Sequence, residues 1–128
     1  MNEEKPHILY VEDHEDTRVM VRVMLDLRGI KVTGVESGRD CLAQLEKHNF
    51  DLVLLDTALA DLSGVNLCHA IRERDKKIPI LFYSGRAFPE EIESALKCGA
   101  DGYLVKPRDT DHLPDRILRL IKKRKPRH

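Results

Sequence analysis

Residues 78–106 read IPILFYSGRAFPEEIESALKCGADGYLVK. The stretch opens on an apolar run, Ile78-Pro79-Ile80-Leu81-Phe82-Tyr83, and closes on another, Tyr103-Leu104-Val105. Continuous apolar runs of this length suit strands buried on both faces of a parallel sheet. Between them Ile92, Ala95 and Leu96 recur at helical spacing, and Gly99 ends the pattern. A strand, a crossover helix and a second buried strand make one parallel βαβ unit.

The same alternation extends toward both ends of the chain. Ile8-Leu9-Tyr10-Val11 and Leu52-Val53-Leu54-Leu55 are two further buried runs. Ile30-Lys31-Val32-Thr33-Gly34-Val35 alternates in polarity, which suits an edge strand with one wetter face. Met20, Val23, Met24 and Leu27 stand at i, i+3, i+4 and i+7 and predict a first helix. Cys41, Leu42 and Leu45 mark a second, with Ser37 as its N-cap, and Leu67, Cys68 and Ile71 a third, opened by Ser63. Leu113, Ile117, Leu120 and Ile121 mark a fifth, with Pro114 in its first turn, where a missing N–H costs little. Five strand–helix repeats with short connections imply an α/β fold: a doubly wound (βα)5 sandwich on a five-stranded parallel sheet. Three strongly apolar strands belong in the centre and the alternating second strand at an edge, which matches the flavodoxin-like order 2-1-3-4-5.

A chain of 128 residues predicts one domain, 1–128, with its core at about 7–123 and a basic tail at 124–128. Hydrophobic residues at 41% and charged residues at 34% place it among soluble globular chains. No apolar run approaches the ~20 residues of a membrane span. The polar start Met1-Asn2-Glu3-Glu4-Lys5 is no secretory signal, so a cytoplasmic location is expected. Cys41, Cys68 and Cys98 are widely spaced and read as small apolar core residues rather than a disulfide or zinc set. Formal charge is zero over the chain, yet Lys122, Lys123, Arg124, Lys125 and Arg127 crowd the end. The body through Ile121 holds 17 basic against 22 acidic residues, a net charge of −5. Such a body argues against a nucleic-acid surface, and the stretch after Pro107 holds a helix and a short tail but no DNA-binding domain.

In doubly wound sheets ligands bind beyond the carboxyl ends of the strands. At those ends stand Glu12 and Asp13, Asp56, Ser84 and Lys106. Three carboxylates in one pocket repel one another unless a cation joins them. Mg²⁺ satisfies that need, since it takes carboxylates, waters and phosphate oxygens. Asp56 could then attack phosphorus to form an acyl phosphate, with the metal and Lys106 neutralising the equatorial oxygens and Ser84 donating to one of them.

These residues carry a family resemblance. The motifs VED (11–13), LLD (54–56), YSG (83–85) and GADGYLVKP (99–107) resemble those of response-regulator receiver domains of two-component signalling, the CheY-like family. The resemblance runs from about His7 to Lys123. It implies a phosphorylation-dependent switch rather than an enzyme with a separate substrate. Asp56 matches the phosphoacceptor, charged by a sensor histidine kinase or phosphotransfer protein. Asp13 matches a direct Mg²⁺ ligand, Glu12 an acidic neighbour acting through a metal-bound water, and Ala58 the position whose backbone carbonyl completes the protein ligands. Lys106 matches the lysine that pairs with the acceptor and then with the phosphoryl group. Ser84 and Tyr103 match the switch pair that remodels the face of the fourth helix, fifth strand and fifth helix. That face would bind the output partner and leaves a homodimer open, with Glu90, Glu91, Arg116 and Arg119 as candidate charges. The family also implies a cis bond at Lys106–Pro107.

The departures are informative. Ala60 stands where the family has Pro, so a less rigid loop from Thr57 to Ser63 is expected. Arg108 replaces an apolar residue after Lys106-Pro107 and would extend the basic surface of the fifth helix. Gly85 replaces a common Ala and keeps the approach open. Ala58 and Arg86 flank the phosphoryl position, with Arg86 over the phosphoryl oxygens or in solvent. His14 is expected to be exposed at the start of the first helix. A dinucleotide site would need glycines where Glu12 to Asp16 stand. An aspartate phosphatase would have a second Asp at Ala58. The competing functional reading is a receiver-like protein-interaction module that works without phosphorylation.

Overall fold

Among the described residues, five strands and five helices alternate. The structure is a computed structural model and describes residues 5–124. The elements are β1 (His7–Val11), α1 (Glu15–Asp26), β2 (Lys31–Val35), α2 (Gly38–Lys47), β3 (Leu52–Leu55), α3 (Gly64–Arg74), β4 (Ile80–Ser84), α4 (Pro89–Lys97), β5 (Gly102–Val105) and α5 (Leu113–Arg124). A 3₁₀ turn, Thr110–His112, leads into α5. All pairings are parallel and the strand order is β2-β1-β3-β4-β5, as the apolar runs predict. Strand β4 begins at Ile80 rather than Ile78, because Pro79 has no N–H for the ladder.

The period of two along each strand divides the core. Leu9, Val11, Val53, Leu55, Ile80 and Phe82 face Cys41 of α2, Leu67, Cys68 and Ile71 of α3, and Ala95 of α4. Ile8, Tyr10, Leu52, Leu54, Leu81, Tyr83 and Leu104 face Val21 and Leu25 of α1 and Leu113, Ile117 and Ile121 of α5. Strand β2 has no fully buried residue, as an edge strand should not. All three cysteines are buried and free. Ser37 and Ser63 cap α2 and α3 by accepting the N–H groups of Asp40 and Asn66. Pro114 sits in the first turn of α5, and the Lys106–Pro107 bond is cis.

Most of the residues whose spacing predicts α1 are not the ones it buries. Met20 (51% exposed), Val23 (52%) and Leu27 (81%) face solvent, while Val21 and Leu25 are buried. The helix carries two apolar stripes, and the one that holds Val21 and Leu25 docks on the sheet beside Ile8, Tyr10 and Ile30. Likewise Leu96 of α4 is exposed, and Ala95 is that helix's buried residue. Helix α5 is described through Arg124, and Lys125 to His128 of the expected tail lie outside the described residues.

Candidate functional site

Parallel strands ending in register bring Glu12, Asp56, Ser84 and Lys106 to one rim, although 94 positions separate Glu12 from Lys106. The backbone ladder continues past the strands here. Glu12 N–H donates to Val35 and Lys106 N–H to Ser84, so both side chains leave from fixed backbone.

The Lys106 ammonium is shared. Its Nζ lies 2.7 Å from Glu12 Oε1 and 3.2 Å from Asp56 Oδ2, and 5.2 Å from the centre of the Tyr83 ring. The side chains of Glu12 and Asp56 are 4% and 13% exposed, so the ion pairs work largely out of water. Glu12 also accepts from its neighbours: Oε2 accepts His14 N–H and Oε1 faces Tyr10 O–H. Asp56 Oδ1 accepts the N–H groups of Thr57 (2.6 Å) and, at longer range, Ala58 (3.4 Å). Burial pushes the Asp56 carboxyl up, but Lys106, Ser84 and the Ala58 N–H together hold it below the ordinary carboxylate value. Burial pushes the Lys106 ammonium down, and Glu12 and Asp56 more than reverse that. The acceptor candidate is therefore an anion at neutral pH with a cation at its side.

Asp13 is exposed and stands outside this ion-paired set. Among the described residues no three His, Cys, Asp or Glu side chains converge as a metal cage. Of the three carboxylates expected at this rim, two are joined by a cation that the protein itself supplies. Lys106 is the cation between two of them, and the third faces water. The donors that remain, the Asp13 and Asp56 carboxylates and the exposed Ala58 backbone, are hard oxygens. They fit Mg²⁺, which keeps several waters and needs one or two carboxylates.

Ser84 is buried and shares a 2.8 Å hydrogen bond with the Thr57 hydroxyl, and its Oγ accepts Arg86 N–H at 3.2 Å. Thr57 was not singled out from the sequence. Its signal was a hydroxyl directly beside Asp56. Tyr103 is half-buried, with its ring stacked on Phe82 at 5.7 Å and 8°, and its O–H donates to the Arg86 carbonyl. Burial raises its pKa. Arg86 lies neither over Asp56 nor free in solvent: Nε is 2.7 Å from Glu91 Oε2. His14 is exposed at the N-cap of α1, and its side chain makes no cap.

Two features of the neighbouring surface bear on the departures from the family. The loop after β3, where Ala60 stands, is tied to its neighbours by several backbone contacts. The Asp61 carboxylate accepts Gly38 and Arg39 N–H at 2.9 and 3.0 Å, Ala58 bridges Ser63, and Thr57 C=O accepts Gly64 N–H. The backbone donors hold the Asp61 carboxyl below its usual range. Arg108 does not extend the basic face as a free charge, because it pairs with its neighbour Asp109. A cavity of about 830 Å³, lined by His7, Phe50, Asp51 and Ile78 among others, lies at the opposite ends of the strands and contains none of the rim residues.

The family described as "Response regulator receiver domain" matches residues 8–118. The phosphate regulon transcriptional regulatory protein PhoB of Rhizobium meliloti is 33% identical over 123 residues, 94% of this chain and 54% of that protein. The CAI-1 autoinducer sensor kinase/phosphatase CqsS of Vibrio cholerae is 30% identical over 86% of this chain and 16% of its own length. The chain thus spans about half, or less, of these relatives. Among solved structures, the Francisella response regulator 1452 receiver domain superposes with TM-score 0.88 at 27% identity, covering 94% of this chain and 99% of that one. The response regulator TrrA of Thermotoga maritima, in complex with Mg²⁺ and beryllofluoride, superposes with TM-score 0.82 at 27% identity, covering 90% and 98%.

Proposed function

Because the chain belongs to the response-regulator receiver family, the regulatory phosphoacceptor domains of two-component signalling, we propose that Asp56 is its phosphoacceptor. The observation that carries this reading is the Lys106 ammonium held between Glu12 and Asp56. It leaves one buried, ionised carboxylate with a cation beside the place where charge develops during phosphoryl transfer.

The donor is a phosphohistidine on a sensor histidine kinase or phosphotransfer protein. An Asp56 oxygen attacks phosphorus, the P–N bond to the donor imidazole breaks, and the imidazole keeps the electron pair and takes a proton. Asp13, Asp56 and the Ala58 carbonyl would hold Mg²⁺, which supplies charge neutralisation on the phosphoryl oxygens. Glu12 accepts Lys106 and His14 N–H, so it orients Lys106, and it would act on the metal through a bound water. Lys106 follows the negative charge from carboxylate to phosphoryl oxygen. Ser84 donates to the phosphoryl group when it leaves Thr57.

Release of the Thr57–Ser84 hydrogen bond is the local event, and Tyr103 is the reporter. Its ring already packs on Phe82, and its hydroxyl is tied to the β4–α4 loop at Arg86. Movement of Ser84 therefore reaches the α4-β5-α5 face through two contacts, which biases two packings of that face. That face is the site for an output partner or a second copy, and residues 1–128 act as one receiver domain in the cytoplasm.

Intact mass after incubation with acetyl phosphate tests the reading. A labile gain of one phosphoryl group is expected in wild type with Mg²⁺, and none without Mg²⁺ or in Asp56→Asn. No gain in wild type, or an equal gain in Asp56→Asn, would remove Asp56 as acceptor. With no gain, the interaction module that works without phosphorylation would then lead.

A further inference from the structure

Arg86 leaves the rim two residues after Ser84, and its backbone is held on both sides. Its N–H donates to Ser84 Oγ, and its carbonyl accepts the Tyr103 hydroxyl. Its side chain, 57% exposed, has room to swing. The guanidinium answers first to Glu91, by hydrogen bond and charge, and the Asp56 carboxylate also acts on it. Glu91 is the fixed partner. It lies in the first turn of α4, where the helix dipole favours a carboxylate. Its Oε2 takes Arg86, while Oε1 is buried with no hydrogen-bond partner among the described residues. The cleft of about 310 Å³ beside it is lined by Thr57, Ser63, Val65, Glu90 and Ser94, so Glu91 borders the acceptor's own neighbour.

We propose that Glu91 competes with the phosphoryl group on Asp56 for the Arg86 guanidinium, and so sets how tightly the rim holds its anion. The inference rests on the reading of Asp56 as acceptor. A phosphoryl group brings close to two negative charges and three acceptor oxygens to the rim. A guanidinium binds such oxygens two at a time, a better match than one carboxylate oxygen through Nε. A half-exposed ion pair is weak, so the exchange is nearly balanced and its shift is measurable. Glu91 is then a positioning residue for Arg86, and Arg86 a phosphoryl-binding cation held in reserve.

The test is a beryllofluoride titration with Mg²⁺, followed by amide resonances, in wild type and five variants. Glu91→Gln is expected to tighten binding about two- to fivefold. Glu91→Asp, too short to hold the guanidinium at the same distance, shifts affinity in the same direction. Arg86→Ala weakens binding, and Arg86→Ala with Glu91→Gln matches Arg86→Ala alone. Unchanged affinity in both Glu91 variants overturns the proposal. So does a Glu91→Gln gain that survives in the double variant, which would mean that Glu91 repels the anion directly. Asp56→Asn separates the two claims. Binding that needs Asp56 but ignores Glu91 removes this inference alone. Absence of binding in wild type, or binding that persists in Asp56→Asn, removes the acceptor reading and this inference with it.

Discussion

Lys106→Met is expected to lower stability at neutral pH by about 2–3 kcal/mol and to slow phosphorylation of Asp56 by about 10²-fold. Methionine keeps the length of the side chain and removes the charge. Glu12 and Asp56 then sit at the rim, nearly buried, without the cation they share. Removing one member of a buried charged set leaves the others uncompensated, which costs more than the set contributed. The cost falls below the roughly 3–5 kcal/mol usual for a fully buried pair because Lys106 itself is 21% exposed.

The pH dependence gives this prediction a second readout. In wild type the Asp56 pKa is depressed in the fold. Its stabilisation is therefore present above the unfolded carboxylate pKa and is lost as pH falls through the lower folded value. The Lys106 pKa is raised, so its stabilisation is present below the unfolded lysine pKa and is lost as pH rises through the folded value. In Lys106→Met the burial of Asp56 is unopposed by its main cation, and the sign for Asp56 turns over. The variant gains stability relative to wild type as pH falls from neutral toward the carboxylate range. Denaturant unfolding at several pH values measures it. A variant as stable as wild type at neutral pH, or one whose deficit widens in acid, contradicts the account of the triad.

The second large effect is steric. Gly64 opens α3, and a Cβ there would lie 2.1 Å from the Asp56 carbonyl oxygen, 2.8 Å from Thr57 Cα and 2.9 Å from the Phe82 ring. Two of these three atoms are backbone, so the new methyl must move the chain that carries the acceptor. Gly64→Ala is expected to cost about 2–3 kcal/mol by overpacking and to slow acetyl phosphate labelling of Asp56. Gly38→Ala is the control. Its Cβ would also meet a neighbour at 2.1 Å, but that neighbour is Leu62 Cδ2, the tip of a side chain that can turn away. A cost under about 1 kcal/mol is expected there. Equal stability and equal labelling rates in Gly64→Ala and wild type would show that the β3–α3 loop has slack that the packing does not reveal.

The sheet was legible because its central strands are unbroken apolar runs, and its edge strand alternates. The rim followed from the strand ends, which is why Glu12, Asp56, Ser84 and Lys106 could be placed together from residues far apart in the chain. The buried face of α1 was not legible. Val21 and Leu25 compete with Met20, Val23 and Leu27 for the same helical period, and only docking onto the sheet chooses between them. The partners of the rim were hidden for a different reason. Thr57 to Ser84, Asp61 to the start of α2 and Arg86 to Glu91 are side-chain contacts set by rotamers and loop paths. No periodicity encodes them. The family motifs fix which residues stand at the rim, and the local contacts decide what each is doing before phosphate arrives.

The most direct test of the central claim is to locate the phosphoryl group chemically. The chain is treated with acetyl phosphate and Mg²⁺, reduced with borohydride, which converts an acyl phosphate to an alcohol, and digested for peptide mass analysis. The account predicts homoserine at position 56 and unreduced aspartate at position 13. Reduction at Asp13 or another carboxylate, with Asp56 intact, would contradict it.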